Sequence, residues 1–261
     1  MTMRPIVDAH LHLSPQVSVS ASVAAKALEN DLAASNVERA IVLHLLAQPW
    51  SVEEFAEAIS STTRLSGFIN IDPFKSDAQH QLREGVEKLG FIGLKLHPRL
   101  QKFDLDDPAA HRLVGYAGEM GIPVLVDAFP DGDWLMMGFD PLAFARLAKD
   151  CPQTRIIIGH FGGHHCLDFM MLSKRLPNVW FDLSYSLLYY EGSAVTANLL
   201  YCCRSMKYQR IFYGSDYPDR DISTTVRRSL GIFEAHGVVG AELDRLMTGN
   251  AMEFFGWPTS T

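Results

Sequence analysis

The 261-residue sequence has few cysteines and no long hydrophobic stretch. Its four cysteines do not have zinc-finger spacing, and Cys202 and Cys203 are adjacent, so we expect no disulfide framework. No apolar run approaches the ~20 residues of a membrane span, and residues 1–5 lack the apolar core of a signal peptide. These features together predict a cytoplasmic protein with reduced thiols.

The sequence also lacks a basic cluster, a low-complexity tract and an interdomain linker. Its net charge of -7 argues against nucleic acids and anionic membranes as partners. Hydrophobic residues make up 48% of the chain and charged residues 20%, which is typical of a soluble globular enzyme. We therefore expect a single domain over residues 1–261.

Short apolar runs alternate with longer amphipathic segments along the whole chain. The runs predict eight strands, at 5–12, 39–46, 65–71, 91–97, 122–128, 154–160, 178–184 and 210–216. The segments between them predict helices at 21–35, 52–63, 76–89, 107–120, 140–150, 166–176, 194–206 and 222–236. This alternation predicts parallel strands joined by helical crossovers. Eight repeats predict a (β/α)8 TIM barrel, with an extra C-terminal helix near 240–255 packed outside it.

Ionisable residues close most of the predicted strands. Active sites of such barrels form at the carboxyl ends of the strands, and buried charges are costly unless they are paired or ligated. His10 and His12 are one residue apart, so they share a strand face and can share a metal ion. The candidate residues at the strand ends are His10, His12, His44, Asp72, Lys95, His97, Asp127, His160, Asp182 and Asp216.

Seven short motifs occur in order along the chain. They are DAHLH at 8–12, GLKLHP at 93–98, GIPVLV at 121–126, GHFGG at 159–163, FDLS at 181–184, YGSDYP at 213–218 and GNA at 249–251. With these motifs the sequence resembles the amidohydrolase superfamily, and specifically its amidohydrolase-related branch, which is similar to aminocarboxymuconate-semialdehyde decarboxylase. The resemblance implies a TIM barrel with one divalent metal ion, zinc first and manganese as the alternative.

The resemblance also implies roles for individual residues. The family's metal ligands correspond to His10, His12 and Asp216. The family usually adds a histidine at the end of strand five, where this chain has Asp127. The carboxylate of Asp127 can ligate zinc or manganese. In a related lactonase branch that lacks the strand-five histidine, however, some members work without a metal. Asp216 would also shuttle the proton of activated water, and His160 would donate a proton or polarise the substrate carbonyl.

The residues at and just after the end of strand four are interpreted as substrate contacts. Lys95 and His97 share a strand face and are the predicted substrate-binding pair, and Arg99 is a candidate clamp for a substrate carboxylate. The predicted function is metal-dependent hydrolysis of an amide, ester or lactone bond in a small carboxylate-bearing molecule. Three alternatives stay open: a metal-dependent decarboxylase, a metal-independent lactonase and a non-catalytic barrel with a decayed site. The branch also makes a homodimer a candidate assembly.

Several of these residues have a structural interpretation as well. His44 lies in an apolar run and is more typical of a packed core histidine. Asp182 could bond neighbouring backbone groups, and Lys95 could pair with a carboxylate inside the barrel. The aromatic residues after strand five, Phe129 and Trp134 among them, are interpreted as a lid or substrate wall, or as an ordinary packed loop.

Overall fold

The structure, a computed structural model, describes residues 5–258, so both ends of the predicted 1–261 domain lie outside the described residues. Eight parallel strands form one sheet in chain order. They are β1 (Ile6–Leu11), β2 (Val37–Leu43), β3 (Leu65–Asn70), β4 (Gly93–Leu96), β5 (Val124–Val126), β6 (Ile156–Ile158), β7 (Val179–Asp182) and β8 (Ile211–Phe212). Backbone bonds join the last strand to the first, with Ala9 N donating to Tyr213 O at 2.9 Å. The predicted TIM barrel is confirmed.

Helices cover the outside of the barrel. They are α1 (Ala21–Ala34), α2 (Val52–Ser60), α3 (Ala78–Glu87), α4 (Pro98–Gln101), α5 (Pro108–Glu119), α6 (Gly132–Met136), α7 (Pro141–Asp150), α8 (Cys166–Ser173), α9 (Ser186–Tyr189), α10 (Ala194–Ser205), α11 (Ile222–Ala235), α12 (Ala241–Asp244) and α13 (Asn250–Phe255). All eight predicted crossover helices are present, with ends shifted by no more than three residues. The short helices α4, α6 and α9 were not predicted. Within residues 5–258, none of the helices is both long and apolar enough to cross a membrane.

Local sequence signals explain where several helices begin. Ser51 and Glu54 form a reciprocal capping box at the start of α2. Asp107 caps α5 by accepting a hydrogen bond from Ala109 N at 2.8 Å, and a proline follows it at the first helical position. These caps satisfy backbone N–H groups that would otherwise lack partners, which is why the predicted and observed helix starts agree closely.

The C-terminal helix of the prediction is divided into α12, a π-helical turn at Arg245–Gly249, and α13. Met252 and Phe254 of α13 pack against inward-facing strand residues such as Val7, Leu125 and Phe212. We call this set the floor cluster: Val7, Ala9, Ile41, Leu43, Phe68, Leu125, Ile157, Phe212, Ala251, Met252 and Phe254. Thr248 donates to the carbonyl of Pro5 at 2.6 Å, just before β1. The segment therefore lies across the amino-terminal end of the barrel.

The register of β1 is irregular in the segment that carries the two histidines. The pairing with β2 shifts between Asp8 and Leu11. Strict alternation would put Ala9 and Leu11 on one face, but Ala9 belongs to the floor cluster and Leu11 to the layer between strands and helices. The shift exchanges the two faces of the strand, so that His10 and His12 come to the open end of the barrel.

Truncation of Met252 tests whether α13 closes the floor. Met252 is 3% exposed, and Met252→Ala is expected to lower the free energy of unfolding by about 2–5 kcal/mol, because a buried side chain is lost and a cavity remains. Urea denaturation measures the change. Glu253→Ala alters the neighbouring exposed position and is expected to change stability by no more than about 0.5 kcal/mol. Equal stability of the two variants would contradict this packing.

Candidate active site

A cavity of about 370 Å³ opens at the carboxyl ends of the strands. It gathers side chains from the ends of β1, β4, β5, β6 and β8, together with loop residues that follow β5 and β7. The lining residues are His10, His12, His97, Arg99, Asp127, Phe129, Asp131, His160, Tyr185, Tyr189, Asp216, Pro218 and Asp219. Of the residues predicted to bind metal or substrate or to transfer protons, Lys95 alone is missing from the lining; it is fully buried at 0% exposure.

The two histidines at the end of β1 each have one ring nitrogen, Nδ1, that contacts a protein oxygen and a second one, Nε2, that faces the cavity. His12 Nδ1 donates to the carbonyl of Leu43 at 2.9 Å, and His10 Nδ1 lies 3.0 Å from Asp182 Oδ2. Burial lowers the pKa of both histidines, so both are neutral at neutral pH. A neutral imidazole that donates through Nδ1 has a lone pair on Nε2, which is the atom that a metal ion binds.

Both Nε2 atoms lie close to the carboxylate of Asp216. The distance to Asp216 Oδ1 is 3.4 Å from His10 and 3.7 Å from His12. Neighbouring ligand atoms in a tetrahedral zinc site with bonds of about 2.1 Å are about 3.4 Å apart. His10 Nε2 is also buried and has no hydrogen-bond partner within residues 5–258. An orphaned lone pair beside a carboxylate fits a divalent cation.

His160 is the third histidine near this point. Ligand atoms of His10, His160 and Asp216 all lie within 4.8 Å of one another. However, His160 Nε2 lies 2.9 Å from Asp127 Oδ2. Burial alone would lower the pKa of His160, but Asp127 and the other nearby carboxylates raise it to about 9. In this arrangement His160 donates a hydrogen bond through Nε2, which is therefore not free to act as a ligand.

Asp127 stands between two imidazoles. Its Oδ2 contacts His160 and also lies 3.4 Å from His97 Nε2. Burial alone would raise the pKa of Asp127, but His97 and His160 hold it well below its usual range. Asp127 Oδ1 has no hydrogen-bond partner among the described residues. One oxygen therefore orients His160, and the other is buried without a partner beside the cavity.

Lys95 and Arg99 bring positive charge to the site. Lys95 Nζ is buried beneath the cavity, has no hydrogen-bond partner in the described part of the chain, and has a pKa lowered by burial. Asp127, Asp182 and Asp216 act on it electrostatically. Arg99 lines the cavity and pairs with Asp131 at 2.7 Å. The guanidinium of Arg99 offers N–H donors to an anionic substrate group, whereas Lys95 does not reach the cavity.

An aromatic wall forms one side of the cavity. It consists of Phe129, Tyr185 and Tyr189, which meet at centroid distances of 4.7 Å and 5.1 Å from Phe129. Phe129 was interpreted from the sequence as part of a lid or substrate wall. Tyr185, Tyr189 and Asp131 were not predicted to line the site. The available signal was their position directly after predicted strands, in the loops that build the mouth of a barrel.

The other strand-end candidates lie elsewhere. His44 is buried and is not among the cavity-lining residues, and its Nδ1 accepts a hydrogen bond from Asn70 N at 3.3 Å. Asp72 accepts from Phe74 N at 2.9 Å in a turn after β3. Both have the structural roles of packed or turn-forming residues.

Several cavity residues have left-handed backbone conformations. The φ angle is +58° at His160, +56° at Tyr185 and +57° at Asp216. Such conformations are unfavourable by about 1–3 kcal/mol each for residues with a side chain and cluster at functional sites. After His160 the left-handed turn continues through Phe161 and Gly162, which explains the glycine pair of the GHFGG motif.

Gly162→Ala tests this turn against a matched glycine. A Cβ at Gly162 would lie 2.0 Å from the ring of Phe169, whereas a Cβ at Gly90, where φ is +76°, meets nothing within 4 Å. Both substitutions introduce left-handed strain of about 1–2 kcal/mol. Gly162→Ala is expected to lose about 1–3 kcal/mol more through overlap. Thermal or urea unfolding measures both, and equal losses would show that the turn rearranges freely.

Comparisons with known proteins agree with this architecture. The family model described as Amidohydrolase matches residues 7–257, and a comparison with curated proteins finds no match. Among solved structures, a protein from Pseudomonas putida provisionally assigned as 2-pyrone-4,6-dicarboxylic acid hydrolase is 19% identical, with a TM-score of 0.73 over 99% of this chain and 100% of its own.

Two further structures have the same fold. The 5-carboxyvanillate decarboxylase of Sphingomonas paucimobilis is 13% identical, with a TM-score of 0.68 over 97% of this chain and 99% of its own. An amidohydrolase of Burkholderia multivorans with bound zinc is 15% identical, with a TM-score of 0.67 over the same shares of the two chains. Because the family model covers nearly the whole described barrel, the chain belongs to the amidohydrolase family of TIM-barrel enzymes.

Proposed function

We propose that the chain is a metal-dependent hydrolase of an amide, ester or lactone bond in a small carboxylate-bearing molecule. The observation that supports this most strongly is the buried, unpartnered His10 Nε2, which lies 3.4 Å from Asp216 Oδ1. His12 Nε2 lies beside the same carboxylate oxygen. Family membership supports the reaction class.

We infer that His10, His12 and Asp216 would hold one divalent ion, with Asp127 as a further candidate ligand through Oδ1. Two imidazoles and a carboxylate suit zinc, with manganese as the alternative. The zinc found in the Burkholderia multivorans amidohydrolase supports this order. A bound ion would supply Lewis-acid polarisation of a carbonyl and a water molecule of lowered pKa.

The chain's own residues carry the proton transfers. Asp216 is 17% exposed at the cavity and is proposed to accept a proton from water and deliver it to the leaving group. His160, held by Asp127, is proposed to donate a hydrogen bond or a proton to the substrate oxygen. His97 and Arg99 are proposed to bind the substrate, with Arg99 contacting a carboxylate. Lys95 is fully buried and does not line the cavity, so it is not proposed as the substrate contact that the sequence predicted.

Decarboxylation by the same site is the second candidate. The charged His160 and the guanidinium of Arg99 can orient a carboxylate for loss of CO2, and a decarboxylase shares the fold. Metal-free lactone hydrolysis and a non-catalytic barrel stay as alternatives because Asp127 replaces the expected histidine. The cytoplasmic location and the homodimer also stay predictions.

Elemental analysis of protein purified without added metal tests the proposed centre. We expect about one zinc or manganese per chain, since two neutral imidazoles and a carboxylate form a typical site. His10→Ala is expected to lose the ion, whereas His164→Ala, which alters an exposed histidine outside the cavity lining, is expected to retain it. Asp127→His is expected to raise zinc affinity, measured by calorimetric titration of metal-stripped protein, and unchanged affinity would argue that Asp127 does not face the ion.

A panel of lactones, esters, amides and aromatic acids separates the reaction classes. Metal-dependent hydrolysis is expected to stop on chelation and resume with metal. Release of CO2 would favour the decarboxylase, and turnover that survives complete removal of metal would favour the metal-free lactonase. A protein with neither metal nor turnover would contradict the proposal in favour of a decayed site.

Asp131→Asn tests the carboxylate role of Arg99. Since Asp131 already pairs with Arg99, a substrate carboxylate must compete with it. The variant is expected to tighten binding of succinate, used as a simple dicarboxylate probe, by up to about fivefold, the range of a partly exposed ion pair. Calorimetric titration measures this. Asp219→Asn removes another cavity carboxylate, which pairs with Arg220; an equal gain there would point to net charge instead of Arg99.

A further inference from the structure

Asp182 ends β7 and is the buried carboxylate for which the sequence left a structural and a functional interpretation open. Its side chain is fully buried, and it is not among the residues that line the cavity. A substrate in the cavity therefore does not reach it. Any part that Asp182 has in the reaction must act through the residues that it contacts.

Both oxygens of Asp182 are bonded to parts of the site. Oδ2 lies 3.0 Å from His10 Nδ1. Oδ1 accepts hydrogen bonds from the backbone N–H of His160 at 3.1 Å and from the N–H and hydroxyl groups of Ser184. The side chain of Asp182 thus connects the ends of β1 and β6, because it contacts the ring of His10 and the backbone N–H of His160.

The contact with His10 determines which ring nitrogen carries the proton. An ionised carboxylate only accepts hydrogen bonds, so His10 must donate through Nδ1. The lone pair of the neutral ring then lies on Nε2, the atom that faces Asp216 at 3.4 Å. The opposite tautomer would point an N–H group at the same place and could not bind a cation.

The contact with His160 restrains its backbone and, through Ser184, its ring. His160 has a φ of +58°, a conformation that persists only where surrounding bonds hold it. Its N–H is bonded to Asp182, and its Nδ1 lies 3.0 Å from Ser184 Oγ. Because Ser184 itself donates to Asp182, the same carboxylate supports the ring of His160 indirectly.

We propose that Asp182 is a positioning residue that fixes the tautomer of His10 and the orientation of His160 through a single carboxylate. The expected effect on metal binding rests on the proposed function. The tautomer of His10 does not, because it is a property of the metal-free protein.

Nitrogen-15 NMR of histidine-labelled, metal-stripped wild-type protein tests the tautomer directly. The His10 signals are assigned by their loss in His10→Gln. We expect protonated Nδ1 and unprotonated Nε2. A wild-type His10 protonated on Nε2 would overturn the proposal without any need for an Asp182 variant to fold.

Asp182→Asn then changes the acceptor while keeping the shape of the side chain. Its single oxygen can still accept from His160 N–H, so the NH2 group faces His10 Nδ1 and favours the Nε2-protonated ring. We expect the tautomer to reverse and the Kd for zinc, measured by calorimetry, to rise about 10- to 100-fold. Asp8→Asn is the matched control, because Asp8 is also fully buried but accepts from the backbone N–H of His10 and not from its ring. It is expected to keep wild-type zinc affinity.

The outcomes separate this proposal from the proposed function. Wild-type tautomer and zinc affinity in Asp182→Asn would overturn the positioning role. An equal loss of zinc affinity in Asp182→Asn and Asp8→Asn, with the His10 tautomer unchanged, would also overturn the positioning role. Asp182 would then be a general structural residue. A wild-type protein that binds no zinc would count against the metal centre, and the NMR result would still decide the role of Asp182.

Discussion

Ionised groups buried at one end of the barrel are the constraint on which the rest of this structure depends. The carboxylates of Asp127 and Asp182 are almost fully removed from solvent. Removing a charge from water is costly unless partners replace the lost hydration. Here the partners are histidines: Asp127 bonds to His160, and Asp182 bonds to His10. His10 and His160 are therefore oriented by the same interactions that make the buried carboxylates tolerable.

The backbone is adapted to this arrangement at the strand ends. The register shift in β1 brings His10 and His12 to the cavity, and left-handed residues after β6, β7 and β8 turn the chain back over it. Regular strands would continue away from the mouth and carry these side chains apart. Several of the irregular positions of the backbone therefore lie where the side chains of the site meet.

The periodic parts of the fold could be predicted from the sequence, because burial of one helix face or of a whole strand leaves a pattern in the neighbouring residues. The helix at 21–35 and its observed range Ala21–Ala34 illustrate this. The motif residues His10, His160 and Asp216 could likewise be placed at one end, since parallel strands of a barrel end together. All three line the cavity.

Contacts between distant residues could not be predicted. Asp127 and His160 are 33 residues apart, and Asp182 and His10 are 172 apart; no local pattern records which oxygen faces which nitrogen. The exchange of faces in β1 also breaks the alternation rule on which strand predictions rest. Short helices such as α9 have too few residues to show a period, so Tyr185 and Tyr189 were missed as wall residues.

The position of α13 determines by which end of the barrel reactants and products can reach or leave the site. Val7, Leu125 and Phe212 fill the barrel interior below the site, and Met252 and Phe254 cover them from the amino-terminal side. Reactants and products therefore use the same open end of the cavity, which the aromatic wall and Arg99 help to line. Because the floor is closed, a product cannot leave through the barrel and has to depart through the mouth before another substrate molecule takes its place.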